Sequence, residues 1–136
     1  MFQKEVADRL IAAPGSPSYG RTSVITQWLC HVEIAFTIPA RAFVPSPKIN
    51  SAVVHLVPRK NPLAAADFNL LEKITKAAFG QRRKMLHSSL KSLVSEPDSL
   101  LELSGISPQA RAETISVENF CKIATNYAKS LKSNVN

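Results

Sequence analysis

Between Lys73 and Lys91 the chain carries Lys73, Lys76, Arg82, Arg83, Lys84 and Lys91, with His87 among them and Glu72 as the one carboxylate close by. Cations at helical spacing can follow a phosphate backbone, and arginine forks grip phosphate oxygens in pairs. At about 100° per residue, a helix running through Gly80 would gather Lys73, Lys76, Arg83, Lys84, His87 and Lys91 into an arc of roughly 100°. Ile74, Met85, Leu86 and Leu93 fall largely outside that arc. The alternative is a solvated helix face with surplus lysines.

A second group is Ala42-Phe43-Val44-Pro45-Ser46-Pro47-Lys48. Prolines restrict φ and remove backbone donors, so this connection is stiff. A stiff loop can hold Phe43 outward as a stacking platform for a nucleic-acid base, worth about 1–3 kcal/mol. A Phe tucked beneath the loop as core is the more ordinary use of that residue. A third group, Tyr19-Gly20-Arg21, sits in a Ser/Pro/Gly loop, where the Tyr and Arg either meet RNA or order the loop. No Ser/His/Asp or Cys/His pairing stands at a spacing useful for catalysis. Trp28, between Ile25 and Leu29, reads as core.

Composition agrees with an anionic partner. Lys and Arg number 17 against 10 Asp and Glu, giving a net charge of +7 and an isoelectric point near 9.7. A hydrophobic content of 45% over 136 residues supports a packed core. No apolar run approaches the ~18 residues of a membrane span. Lys4, Glu5, Asp8 and Arg9 interrupt the N-terminus, so it lacks the apolar stretch of a secretory signal. Cys30 and Cys121 are too few for a disulfide framework, and His31, His55 and His87 stand apart, so no metal site is expected. These features describe a reduced, cytoplasmic protein with buried thiols. With only four glycines there is no GxGxxG or Walker-type loop.

The elements that must position these residues differ between the two parts of the chain. Residues 3–13 predict a short amphipathic helix with Val6, Leu10 and Ala13 on one face, ended by Pro14-Gly15. A second helix is expected over residues 23–31 with Ser23 as its cap. Residues 32–39 and 50–58 predict a β-hairpin with a long proline-stiffened connection. Ala52, Val54 and Leu56 alternate with Val53, His55 and Val57, so the second strand belongs inside a sheet. A linker at 61–66 leads to an all-helical part. There Asp67 caps a helix burying Phe68, Leu71, Ile74 and Ala78, and Gln81–Lys84 begins another. Pro97 opens a third, ending at Gly105. Ser107-Pro108 opens a single turn through Glu113, and Ser116 caps the last helix. Two helices and one hairpin cannot bury both faces of a sheet. Residues 1–60 therefore read as the end of a larger α/β domain, and residues 61–136 as a small helical domain.

Five stretches together carry a resemblance: MFQKEVADRL, YGRTSVITQWLC, FVPSPKINSAVVHLVP, AAFGQRRKMLHSSL and GISPQARAETISVENF. In this order they resemble the bacterial 16S ribosomal RNA adenine dimethyltransferases, the KsgA family, from Met1 to about Tyr127. The resemblance implies a Rossmann-like domain that uses S-adenosylmethionine, followed by a helical domain that docks on ribosomal RNA. It implies dimethylation of two adjacent adenines of 16S rRNA during ribosome biogenesis. The family's glycine-rich cofactor loop and Asn-Leu-Pro-Tyr motif have no counterpart here, so the cofactor is expected to be bound outside this chain, which alone would be inactive. Phe43 is implied to stack on the flipped adenine, and Lys48 shares its loop. Arg82, Arg83 and Lys84, with Lys76, His87 and Lys91, are implied to contact RNA, and Tyr19 and Arg21 to stand near the active-site mouth. Ser46 departs from the family's usual third proline, which implies a looser loop around Phe43. The expected partner is the small ribosomal subunit, with no membrane or metal, and the expected state is a monomer. The alternatives are a non-catalytic RNA-binding module, a large-subunit rRNA methylase, or a mitochondrial transcription factor of the same superfamily.

Overall fold

A computed structural model describes residues 1–133. Three strands form one antiparallel sheet in the order β1-β3-β2: β1 is Phe2–Gln3, β2 Cys30–Ile38 and β3 Ser51–Pro58. The hairpin registers Cys30 opposite Pro58 and Ile38 opposite Ser51, with a bulge between Ile34 and Phe36. β3 is central, as its two-sided apolar pattern requires. Only Ala52 in it is fully buried; Leu56 and Val57 are about two-fifths exposed and Phe36 on β2 is 57% exposed. The sheet thus presents much of its apolar surface uncovered.

The helices are α1 (Lys4–Ile11), α2 (Arg21–Leu29), α3 (Phe68–Gly80), α4 (Leu86–Ser89), α5 (Pro97–Leu103) and α6 (Val117–Ser133). α1 buries Ala7 and Leu10, and Val6 is only partly buried. α2 starts two residues earlier than expected. Gly20 is its N-cap, and Ser23 lies inside the first turn, its Oγ accepting from the Gly20 N–H at 3.1 Å. Cys30 and His31 belong to β2, because the backbone is already extended at Cys30 (φ −138°, ψ 151°). Asp67 caps α3 as expected, its Oδ1 accepting from Leu70 N–H at 3.1 Å. Phe68 does not turn inward: it is 46% exposed and stacks on Trp28, centroids 6.2 Å apart. Ser116 caps α6, accepting from Asn119 N–H. Gly105 adopts φ +74°, a left-handed conformation that ends α5. The turn after Ser107 carries a 3-10 segment only at Ala112–Thr114, preceded by an antiparallel bridge between Arg111 and Met85.

The hydrophobic core does not divide at residue 60. Ala12, Tyr19, Val24 and Trp28 belong to the same buried cluster as Leu71, Ile74, Leu86, Leu101, Phe120 and Ile123. Side-chain bonds stitch the parts together, among them two made by buried aromatic residues. Tyr19 Oη donates to Ile115 O at 2.6 Å, and Trp28 Nε1 donates to Ala64 O at 2.7 Å. α2 therefore packs against α1, α3 and α6, and the hairpin continues from its end. No helix among the described residues is long and apolar enough to cross a membrane.

Two predictions come from this core. Tyr19→Phe leaves the Ile115 carbonyl without its donor and costs about 1–3 kcal/mol in urea unfolding; an unchanged midpoint refutes the anchoring role. Burial, then the charge of Glu118, pushes the Cys121 thiol up to about 11, and burial raises the Tyr19 phenol likewise. Both keep their protons in the folded chain after the unfolded chain has lost them. Stability from these groups is therefore level below the thiol's ordinary value of 9.0 and falls as pH rises from there toward 11. Urea midpoints across that range check this, and Cys121→Ala should remove the first part of the decline.

Candidate nucleic-acid interface

The basic residues are placed by the burial of their neighbours. In α3, Leu71, Ile74, Thr75 and Ala78 face the core, so Lys73 and Lys76 project outward together. α3 stops at Gly80, and the continuous stripe expected through that glycine does not form. Gln81–Lys84 is a turn rather than a helix start, closed by Lys84 N–H to Gln81 O at 3.0 Å. The physical reason lies in the next residues. Leu86 N–H donates to Ala110 O at 2.7 Å and His87 N–H to Pro108 O at 2.9 Å. These long-range bonds take the donors a continuing helix would need.

The turn borders two grooves. On one side Lys73, Lys76, Gln81, Ser92 and Leu93 line a cleft of about 470 Å³. Lys91, exposed, is the neighbour of Ser92. On the other side Arg9, Arg21 and Arg82 surround a cleft of about 280 Å³ with Pro17, Gly20 and Ser23. Arg9 pairs with Glu5 at 3.0 Å, and Arg21 with Glu72. Arg82 is in no ion pair among the described residues; its Nη2 donates to Pro17 O at 3.3 Å and its guanidinium lies 5.6 Å from the Phe79 ring centre. Arg83 and Lys84 are exposed, and among the described residues their side chains make no hydrogen bond or ion pair.

Two expected RNA contacts are redirected. Tyr19 has no exposed surface: its ring meets Phe79 edge-on (5.8 Å, 74°) and its hydroxyl is spent on Ile115. It orders the loop instead of touching RNA, because a Tyr beside an apolar core gains more by burying its ring with the hydroxyl paired. His87 is not one of a row of free cations; its Nδ1 bonds Asp98 Oδ1. Arg21 remains partly exposed, at 39% of its side chain, but in a pair with Glu72.

Phe43 stands at the exit of a 3-10 turn, Ala40–Ala42, and is half-buried. The loop neck is tied by Ala40 N–H to Asn50 Oδ1 at 2.9 Å. Ser46, expected to loosen the loop, donates its hydroxyl to Phe43 O at 3.1 Å and fastens the backbone that carries the ring. Val44 is fully exposed and Lys48 is exposed in the same loop. Among the described residues, no hydrogen bond or ion pair joins this loop to the basic turn. Arg9 and Phe79 are not marked out by the sequence, because each joins the site through packing against residues distant in the chain: Arg9 lines a cleft with Arg82, and Phe79 meets the Tyr19 ring.

The glycines do not form a cofactor cradle. Gly15 (φ +91°) and Gly105 (φ +74°) shape turns, Gly80 ends α3, and Gly20 caps α2 beside Arg82. Among the described residues, no three His, Cys, Asp or Glu are grouped to hold a metal ion.

In its fold the chain is similar to a dimethyladenosine transferase from Plasmodium falciparum (TM-score 0.79, 22% identity, covering 94% of this chain and 55% of that one). It is also similar to the 23S rRNA methyltransferase ErmE (TM-score 0.61, 22% identity, 91% and 51%). The fold is thus one that occurs as part of a dimethyladenosine transferase and of an rRNA methyltransferase. The sequence model described as ribosomal RNA adenine dimethylase matches residues 1–129, and the chain belongs to that family. Its relatives include the ribosomal RNA small subunit methyltransferase A of Paramagnetospirillum magneticum, 61% identical over 91% of this chain and 44% of the relative. The protein of the same name from Xanthobacter autotrophicus is 54% identical over 98% and 46%. The chain therefore spans a little under half the length of the curated relatives it matches.

Proposed function

We propose that this chain is the rRNA-docking and base-stacking part of an adenine N6,N6-dimethyltransferase acting on two adjacent adenines of small-subunit (16S) ribosomal RNA. The observation that carries it is the exposed, unpaired Arg83-Lys84 on a turn flanked by a lysine groove and an arginine groove, in a chain of this family. Residues 1–60 form the end of the methyltransferase domain, and the uncovered apolar faces of the sheet are its surfaces toward the remainder. Residues 61–136 form the helical rRNA-docking part, joined to the first by the core around Tyr19 and Trp28. The protein works as a monomer in the cytoplasm, on assembling small ribosomal subunits.

S-adenosylmethionine is the methyl donor this family name implies. The four glycines sit singly in turns and at helix ends and form no glycine-rich loop for it, so its binding belongs to other parts of the enzyme. What this chain supplies is orientation. The exocyclic amine of adenine is a weak nucleophile because its lone pair is conjugated with the ring. The base must leave the helix and be held flat before its amine can be aimed. Phe43, on a loop tied by Asn50 and Ser46, offers a face for that base. Arg83, Lys84, Lys76, Lys73, Lys91 and Lys48 bind the backbone on either side, and release of counterions makes such binding steeply salt-dependent.

The test is a salt titration of binding to an RNA hairpin from the 3′ end of 16S rRNA. Arg83→Ala with Lys84→Ala should flatten the logarithmic salt slope by about 1.4–1.8, two phosphates' worth; an unchanged slope removes this turn from the interface. In a chimera joining this chain to the remaining part of a relative, Phe43→Ala should lower the methyl-transfer rate far more than RNA affinity. Equal losses of both, with lower thermal stability, would make Phe43 a packing residue.

A further inference from the structure

Arg82 and Arg83 are neighbours in sequence, yet their surroundings differ. Arg83 is exposed, and among the described residues its side chain has no partner. Arg82 is partly buried and held at two points: its guanidinium sits over Phe79 and Nη2 bonds Pro17 O; Nη1 passes beside Gly20, 3.6 Å from where a Cβ there would stand. It spans the loop between α1 and α2 from Pro17 to Gly20. The rest of that loop is fastened to the same helices. Gly15 N–H donates to Glu113 O at 2.6 Å, Tyr19 is clasped by Phe79 and Ile115, and Arg21 pairs with Glu72. Arg82 is the strap across the outside of this arrangement, and it forms one wall of the cleft shared with Arg9 and Arg21.

We propose that Arg82 is a positioning residue: it holds the Pro17–Arg21 loop against Phe79 in the one shape that the bound RNA meets, while Arg83 and Lys84 make the phosphate contacts. This rests on the rRNA-docking function proposed above and divides labour within it. The chemistry favours arginine for the task. A planar guanidinium lies flat on an aromatic ring and still donates in its own plane to a carbonyl. A lysine ammonium keeps the charge but lacks that fork. A phosphate contact, which needs mainly a positive charge within reach, tolerates lysine far better.

The experiment compares Arg82→Lys, Arg82→Ala, Arg83→Lys and Arg83→Ala in the 136-residue chain, reading RNA-hairpin affinity across a salt series and amide hydrogen exchange of Ser18–Arg21. Arg82→Lys and Arg82→Ala should both weaken binding by roughly tenfold, the scale of one lost charge-assisted hydrogen bond. They should keep the wild-type salt slope and speed exchange in the loop. Arg83→Ala should flatten the slope by about 0.7–0.9 with no change in exchange, and Arg83→Lys, which keeps the charge, should keep the wild-type slope. Wild-type binding by Arg82→Lys together with a flattened slope in Arg82→Ala would make Arg82 a phosphate contact and overturn the proposal. Unchanged loop exchange in both Arg82 variants would also overturn it. If Arg83→Ala leaves the slope unaltered while the Arg82 variants loosen the loop, docking through this turn fails and the strap stands.

Discussion

The Tyr19 hydroxyl and the Ile115 carbonyl are separated by 96 residues and meet at 2.6 Å with no water-exposed surface on the tyrosine. Much of the fold depends on that junction. A buried phenol needs a partner for its hydroxyl, and a buried carbonyl needs a donor. Satisfying both at once draws the loop after α1 into the helical core. Phe79 closes over Tyr19 from α3 and packs on Phe120 of α6, centroids 5.5 Å apart. The ring stack thus links the loop, α3 and α6. α2 follows directly from the loop, so its placement, and through it the start of β2, is set by the same junction.

The basic surface is a consequence of this packing. Because α3 ends at Gly80 and the next segment bonds to the Pro108–Ala110 stretch, Gln81–Lys84 is thrown outward as a turn. Its first arginine is drawn back against Phe79 and Pro17, and its second cation pair is left in solvent. Carboxylates neutralise Arg9 and Arg21 in part, so the charge offered to a polyanion is concentrated in Arg83, Lys84 and the lysines of α3. Partly exposed ion pairs of this kind add little stability. Their effect is to hold long side chains in one place.

The hairpin obeys different physics. Its strands pair well, and the long connection is braced by Asn50 and Ser46, but its apolar faces find few neighbours within this chain. A sheet of three strands, one of them two residues long, cannot cover itself. The loop that carries Phe43 is accordingly ordered by hydrogen bonds within its own few residues, independently of the helical core.

Local chemistry was enough to locate most elements. Asp67 and Ser116 cap helices because their oxygens reach the free N–H groups three residues on, and Gly105 ends α5 because few other residues accept a positive φ. The alternation in β3 announced a central strand. The resemblance to the dimethyltransferases rested on stretches of sequence that the family match from residue 1 to 129 bears out. Other features could be decided only when distant residues met. Periodicity treated Gly80 as passable, but the backbone donors of Leu86 and His87 were claimed by carbonyls about twenty residues away. The sequence leaves open whether Tyr19 meets RNA or orders its loop, because the residues that bury it, Phe79 and Ile115, are far from it in the chain. The separate environments of Arg82 and Arg83 were likewise invisible in their shared motif. A residue's type and immediate neighbours determine what it can bond, whereas the fold determines which of those partners is within reach and which is left to the solvent.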